Sequence, residues 1–210
     1  MRRLWPVAAV SVLAVLALSS CSKSEPIVVP DVFRARFLTS EGDFVVEAHK
    51  DWAPRGVDRF HELLRIHYFD EGRFFRVVPG FIAQFGVHKD YDVHGQWREF
   101  VLVDDPPKEK NLRGTLAYAQ SGQNTRATEM FINLVDNPKL DEENFVPFAR
   151  VVEGMDVVDR LYAGYGDYIP EGKYIDPGRV ENGTNAYLVP RFPELDYIKR
   201  TEILPQDDSR

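Results

Sequence analysis

Residues 74–86 run Phe74-Phe75-Arg76-Val77-Val78-Pro79-Gly80-Phe81-Ile82-Ala83-Gln84-Phe85-Gly86. Aliphatic and aromatic residues on either side of Pro79-Gly80 predict short β segments over Arg73–Val78 and Phe81–Phe85, with Arg76 and Gln84 as polar positions among apolar ones. Upstream, Phe33-Arg34-Ala35-Arg36-Phe37-Leu38-Thr39 alternates, Glu41-Gly42-Asp43 supplies a turn, and Phe44-Val45-Val46-Glu47-Ala48 returns, which is a hairpin pattern. Pro54 then opens a segment in which Val57, Phe60, Leu63, Leu64 and His67 recur at helical spacing, so an amphipathic helix is predicted to about Ile66. Downstream, further β segments are predicted over Gly114–Ala119, Met130–Leu134 and Phe148–Val152, and a second, shorter helix from about Met155 carries Val157, Val158 and Leu161. Residues 162–195 are rich in Gly, Pro and Tyr and predict a long ordered loop before a last strand, Asp196–Leu204.

The 210 residues are 44% hydrophobic, 12% aromatic and 28% charged, which fits one compact globular domain, placed here over residues 32–205. A chain of this size can build a sufficient core without disulfides or a structural metal, and its single cysteine, Cys21, agrees. Formal charge is -7, and leaving out residues 1–20 removes Arg2 and Arg3 but no acid, so 24 basic residues face 33 acidic ones. Nucleic-acid binding, which depends on clustered Lys and Arg against phosphate, is thereby excluded as an expectation.

Residues 1–20 read as an address. Arg2 and Arg3 precede an almost unbroken Ala, Val and Leu run from Trp5 to Leu18, the basic and apolar regions of a secretory signal, too short to span a bilayer comfortably. The sequence Leu18-Ser19-Ser20-Cys21 resembles the bacterial lipobox, at which a peptidase cuts before a cysteine that becomes acylated. Several acyl chains on Cys21 would give stable anchoring. Ser22 stands where an Asp commonly signals inner-membrane retention, which tilts the expectation toward an envelope lipoprotein of the outer membrane, facing the periplasm. Residues 21–31 then serve as lipidated cysteine and tether.

The 74–86 string resembles the signature of the cyclophilins, the peptidyl-prolyl cis-trans isomerases: Arg, two aliphatics, Pro, a small residue, Phe, an apolar residue and, two further on, Gln. Arg113-Gly114-Thr115-Leu116-Ala117-Tyr118-Ala119-Gln120-Ser121-Gly122-Gln123-Asn124-Thr125-Arg126-Ala127-Thr128-Glu129-Met130-Phe131-Ile132-Asn133 is similar to the family's glycine-led strand, Asn-Thr loop and Phe-Ile strand. Leu140-Asp141 and then Phe145-Val146-Pro147-Phe148-Ala149-Arg150-Val151-Val152-Glu153-Gly154-Met155-Asp156-Val157-Val158 resemble the closing strand and helix. The resemblance covers residues 33–161. It implies a mainly β fold, a closed eight-stranded antiparallel β-barrel capped by two α-helices.

It also implies roles. Arg76 would donate to the twisting imide, Gln84 would position Arg76 or the substrate carbonyl, and Phe81, Ile82 and Phe131 would line a proline pocket. Gln120 would offer backbone hydrogen bonds to the residue before proline, and Ala119, Glu129, Leu140 and Phe145 would complete the substrate surface. Several of these positions depart from the family pattern. Glu129 stands where many members carry Gln, and a carboxylate there could hold the Arg76 guanidinium or compete with substrate for it. Lys139 stands where eukaryotic members often carry a Trp that helps bind cyclosporin, Phe145 near the place of a pocket His, and Gln120 in place of an Asn. Reduced but real isomerase activity is expected, on proline-containing polypeptide clients, by a monomer with no cofactor and no metal. The alternatives are a proline-segment binding module of the same fold with little turnover, and a structural lipoprotein using the segment from Tyr162 to Tyr187 as an interaction surface. His88-Lys89-Asp90-Tyr91-Asp92-Val93-His94 could present two His and two Asp on one face of an extended strand, but a polar surface loop is the expectation. Asn182-Gly183-Thr184 is expected to be a turn.

Overall fold

The computed structural model describes residues 28–167 and 175–205. The expected signal segment, Cys21 and the tether up to residue 27 lie outside the described residues, as do residues 168–174 of the expected loop. Eight strands form one sheet: β1 (Val32–Thr39), β2 (Asp43–His49), β3 (Arg76–Val78), β4 (Ile82–Phe85), β5 (Thr115–Tyr118), β6 (Met130–Asn133), β7 (Pro147–Glu153) and β8 (Ile198–Ile203). Every pairing is antiparallel, in the order β3-β4-β6-β5-β7-β2-β1-β8.

The sheet curls but does not close, which corrects the expected barrel. Its edges β3 and β8 share no ladder. They approach through a few backbone bonds between residues 71–74 and 196–198 and one isolated bridge, Arg73 to Tyr197. β3 is only three residues long, and the seam contacts end at Phe74, before β3 begins.

Five helices, not two, accompany the sheet among the described residues: α1 (Pro54–Arg65), α2 (Tyr91–Arg98), α3 (Pro138–Glu142), α4 (Met155–Asp159) and α5 (Pro177–Arg191). α1 and α4 occupy the places that periodicity predicts. α2 takes the segment expected to be a loop, because the Asp90 carboxylate accepts from the Asp92 and Val93 N–H groups and caps a helix there. α5 replaces much of the expected 162–195 loop. Its buried residues Val180, Thr184, Tyr187 and Leu188 follow helical spacing. The expected Asn182-Gly183-Thr184 turn is a kink inside α5, where Thr184 adopts φ 45° and ψ -136° and its hydroxyl donates to the Lys89 carbonyl at 2.9 Å.

The main core lies between the sheet and α1. The Phe37 and Phe44 rings stack at 4.9 Å across the β1–β2 hairpin, and Phe60 of α1 packs on Phe33, Phe37, Phe69 and Phe148. The start of α1 is held by a residue far along the chain. Asp105, whose side chain is wholly buried, accepts from the N–H groups of Arg55 and Gly56 at 3.1 and 3.0 Å and pairs with buried Arg126 at 3.3 Å. A carboxylate there satisfies donors that no helical carbonyl can reach. A second apolar cluster forms on the opposite face. Adjacent Phe74 and Phe75 point to opposite sides of the sheet, Phe74 into the main core and Phe75 onto Val87, Val180, Leu188 and Phe192, so that α5 is clamped over the β3–β4 region.

Candidate active site

Strand register assembles the site. Arg76 on β3 stands opposite Gln84 on β4, and Gln84 opposite Phe131 on β6. Directly opposed residues share a face and lie within reach of one another. Arg76 Nη1 donates to Gln84 Oε1 at 3.1 Å, and Gln84 Nε2 donates to Glu129 Oε2 at 2.7 Å, so the amide bridges guanidinium and carboxyl. Arg76 Nε donates to Asp167 Oδ1 at 2.7 Å, and the guanidinium carbon lies 5.6 Å from the Phe81 ring centre. Beside this polar row, buried Ile82, Phe131 and Leu140 form an apolar recess with Phe81 and Phe145 packed at its rim. The Phe131 and Phe145 rings meet edge to face at 5.6 Å.

Arg76, Gln84, Phe81, Ile82, Ala119, Gln120, Glu129, Phe131, Leu140 and Phe145 all line one cavity of about 790 Å³. Sequence reasoning named each of these residues. The Ala119 N–H donates to the Glu129 carbonyl at 2.9 Å and fixes that backbone. Gln120 donates from Nε2 to the Glu143 carbonyl at 2.9 Å, while its Oε1 is buried without a hydrogen-bond partner. Gly86, at φ +108°, lets the end of β4 lie against residues 128–129, since a Cβ there would overlap the Thr128 carbonyl oxygen and crowd the Glu129 Cα.

Further charged or titratable residues join the site from outside the cyclophilin-like motifs, among them Asp167, His94, Arg98, Glu99, Glu143 and Glu181. Pro177, Gly178 and Glu181 bring the start of α5 into the cavity wall. Glu181 and Glu129 share a side-chain hydrogen bond. Glu181 Oε2 also lies 3.1 Å from His94 Nε2 and 3.6 Å from Arg98 Nη1. Withdrawal from water, then the neighbouring Glu181, push the Glu129 carboxyl well above the usual carboxylate range. Burial also pushes Glu181 up, but the bonds from His94 and Glu129 and the charge of Arg98 outweigh it and bring Glu181 down. His94 Nδ1 in turn meets the Tyr68 hydroxyl at 3.0 Å, and that hydroxyl lies 3.2 Å from Thr128 Oγ1, next to Glu129 in sequence.

The His88–His94 segment does not present a ligand face. His94 turns inward with its side chain 1% exposed, the Asp90 side chain caps α2, and His88 packs against the Tyr68 ring. Among the described residues no group of three or more His, Cys, Asp or Glu is placed to hold a metal ion.

Comparison with known proteins adds to this geometry. The family described as "Cyclophilin type peptidyl-prolyl cis-trans isomerase/CLD" matches residues 34–180. "Peptidyl-prolyl cis-trans isomerase B" of Escherichia coli strain K12 is 35% identical over 133 residues, covering 60% of this chain and 81% of that protein. "Peptidyl-prolyl cis-trans isomerase-like 2" of Gibberella zeae is 32% identical over 130 residues, covering 60% of this chain but only 22% of its own length. In three dimensions the chain is similar to a cyclophilin-type peptidyl-prolyl cis-trans isomerase of Cryptosporidium parvum, with a TM-score of 0.59, 20% identity, and coverage of 84% of this chain and 99% of that one. That last likeness concerns the fold.

Proposed function

The chain belongs to the cyclophilin-type peptidyl-prolyl cis-trans isomerases, and from that premise we propose that it interconverts Xaa-Pro bonds in polypeptide clients with Arg76 as the group that stabilises the twisted imide. One observation carries this reading: the Arg76 guanidinium, held by Gln84, borders an apolar recess of Ile82, Phe131 and Leu140. Rotation about an Xaa-Pro bond costs about 18–20 kcal/mol because amide resonance is lost. Twisting frees the nitrogen lone pair, and a fixed cation aimed at it stabilises the transition state more than the planar ground state. The recess would hold the proline ring and exclude water around that contact. Arg serves better than Lys because its planar fork can hold Gln84 and meet substrate together, and it never deprotonates.

The test is the exchange rate of a short Xaa-Pro peptide measured by NMR with the full chain and with Arg76→Ala. The variant is expected to lose at least about tenfold in kcat/KM, equivalent to about 1.4 kcal/mol of transition-state stabilisation. An Arg76→Ala rate equal to wild type would remove Arg76 from the mechanism. Line broadening without faster exchange in the wild type would favour the proline-segment binding module, a reading the Arg76–Asp167 ion pair supports because it already occupies part of the cation.

We further propose that the protein works on the envelope side of a bacterial membrane, anchored through Cys21 and assisting the folding of secreted or outer-membrane proteins. The support is the sequence of residues 1–21. Intact mass of the membrane-extracted protein should show a chain starting at an acylated Cys21, and an unmodified N-terminus would sink the proposal.

A further inference from the structure

Glu129 is the acid nearest the Gln84–Arg76 pair on the β6 side. One of its oxygens, Oε2, takes the Gln84 amide N–H at 2.7 Å. It also hydrogen-bonds to Glu181, and two carboxyl groups in such contact need one proton between them. The surroundings decide where that proton sits. Glu181 faces His94 Nε2 at 3.1 Å, which donates in the tautomer that carries its proton there, and the charge of Arg98, whose Nη1 lies 3.6 Å away; both come from α2. Glu129 faces an amide, and the cation beyond that amide, Arg76, is already paired with Asp167 at 2.7 Å. The other acids lining the cavity, Glu99 and Glu143, favour no second anion. The negative charge therefore belongs on Glu181 and the proton on Glu129.

We propose that Glu181 is a positioning residue for the isomerase reaction: its carboxylate accepts a hydrogen bond from a protonated Glu129, so that Glu129 supports the Gln84–Arg76 pair as a neutral group. The inference rests on the isomerase reading above and deepens it. An ionised Glu129 would place a second carboxylate near the guanidinium, after Asp167, and weaken the field that Arg76 offers to an imide nitrogen. A neutral one still accepts the Gln84 N–H but adds no charge beside the guanidinium. The acid in the strand and the acid in the added helix thus act as one unit, and the helix contributes chemistry to the cavity as well as a wall.

Two measurements test this. First, kcat/KM on an Xaa-Pro peptide is followed from pH 5.5 to 7.5 for wild type, Glu181→Gln and the double variant Glu129→Gln/Glu181→Gln. Without the Glu181 anion, Glu129 ionises more readily, so the single variant should fall by about fivefold or more at pH 7.5 and approach wild type at pH 5.5. The double variant should recover at pH 7.5. A loss that is the same at every pH, no loss, or no recovery in the double variant would overturn the proposal, since a merely structural role for Glu181 gives a flat deficit. Second, the side-chain carboxyl 13C shift of Glu129 is titrated in the wild-type full chain, where the carboxyl should still be protonated at pH 7. A carboxyl already ionised at pH 7 overturns the proposal whatever the kinetics. If no peptide is isomerised at all, the reaction assigned above fails, and the titration still decides the protonation of Glu129.

Discussion

Arg76 sits between a neutral partner and an anionic one, and the two have opposite consequences for a cation meant to meet substrate. Gln84 aligns the guanidinium without reducing its charge, whereas Asp167, 2.7 Å from Nε, offsets part of it. Both members of the ion pair are partly exposed, so its strength lies in the range of about 0.5–1 kcal/mol. Asp167→Asn is therefore expected to raise kcat/KM on an Xaa-Pro peptide by about two- to fivefold at low salt, and added salt should shrink the gain. A fall in rate would mean instead that Asp167 holds the guanidinium in its working orientation. The polar row was legible in sequence because its members lie in motif blocks whose strands pair: Arg76, Gln84 and Phe131 become neighbours once register is set. Asp167 was not, because it lies 91 residues from Arg76 in an irregular segment with no periodic pattern to place it.

At the scale of elements, the added helix α5 and the first helix α1 show two ways a sequence conceals a contact. Gly178, Gly183 and Pro190 in and around α5 argue for a loop on propensity, yet Val180, Tyr187 and Leu188 carry a helical spacing that burial against Phe75 and Val87 rewards. Tertiary packing outweighs propensity here, at the cost of a kink at Thr184. For α1 the apolar face was plain, but its cap was not, since Ala53 offers no side-chain acceptor and Asp105 supplies it from some 50 residues away. Asp105 also answers Arg126, whose side chain is 1% exposed. Asp105→Ala should therefore cost about 3–5 kcal/mol, because it strips the α1 donors and leaves a buried guanidinium with less compensation. The shift in urea midpoint measures it, and a change below about 1 kcal/mol would show that Asp104 and the Val103 carbonyl, the other partners of Arg126, suffice.

Across the whole molecule, strand content was readable and closure was not. Alternation and turn residues locate a strand in its sequence, and all eight predicted β segments overlap observed strands. Whether the two outer strands meet depends on lengths and offsets that no single segment contains. β3 and β8 share no ladder, so the curled sheet ends in a seam pinned near Arg73 and Tyr197, where the guanidinium also stacks 4.4 Å over the tyrosine ring. The site lies on the side of the sheet that carries this short edge, and α5 borders it there, while the Phe-rich core and α1 provide the firm side.

β1 has β2 on one flank and β8 on the other, with Ala35 opposite Ile203 and Phe37 opposite Thr201. The two flanks are completed at very different times while the chain is being made. β2 follows β1 after a short turn, but β8 arrives only after some 160 further residues, roughly ten to thirty seconds at about 5–20 residues per second. Throughout that interval the outer flank of β1 is an open template on which another strand can pair. A protein proposed to hurry a slow step in other chains thus passes through a slow, exposed step of its own at birth.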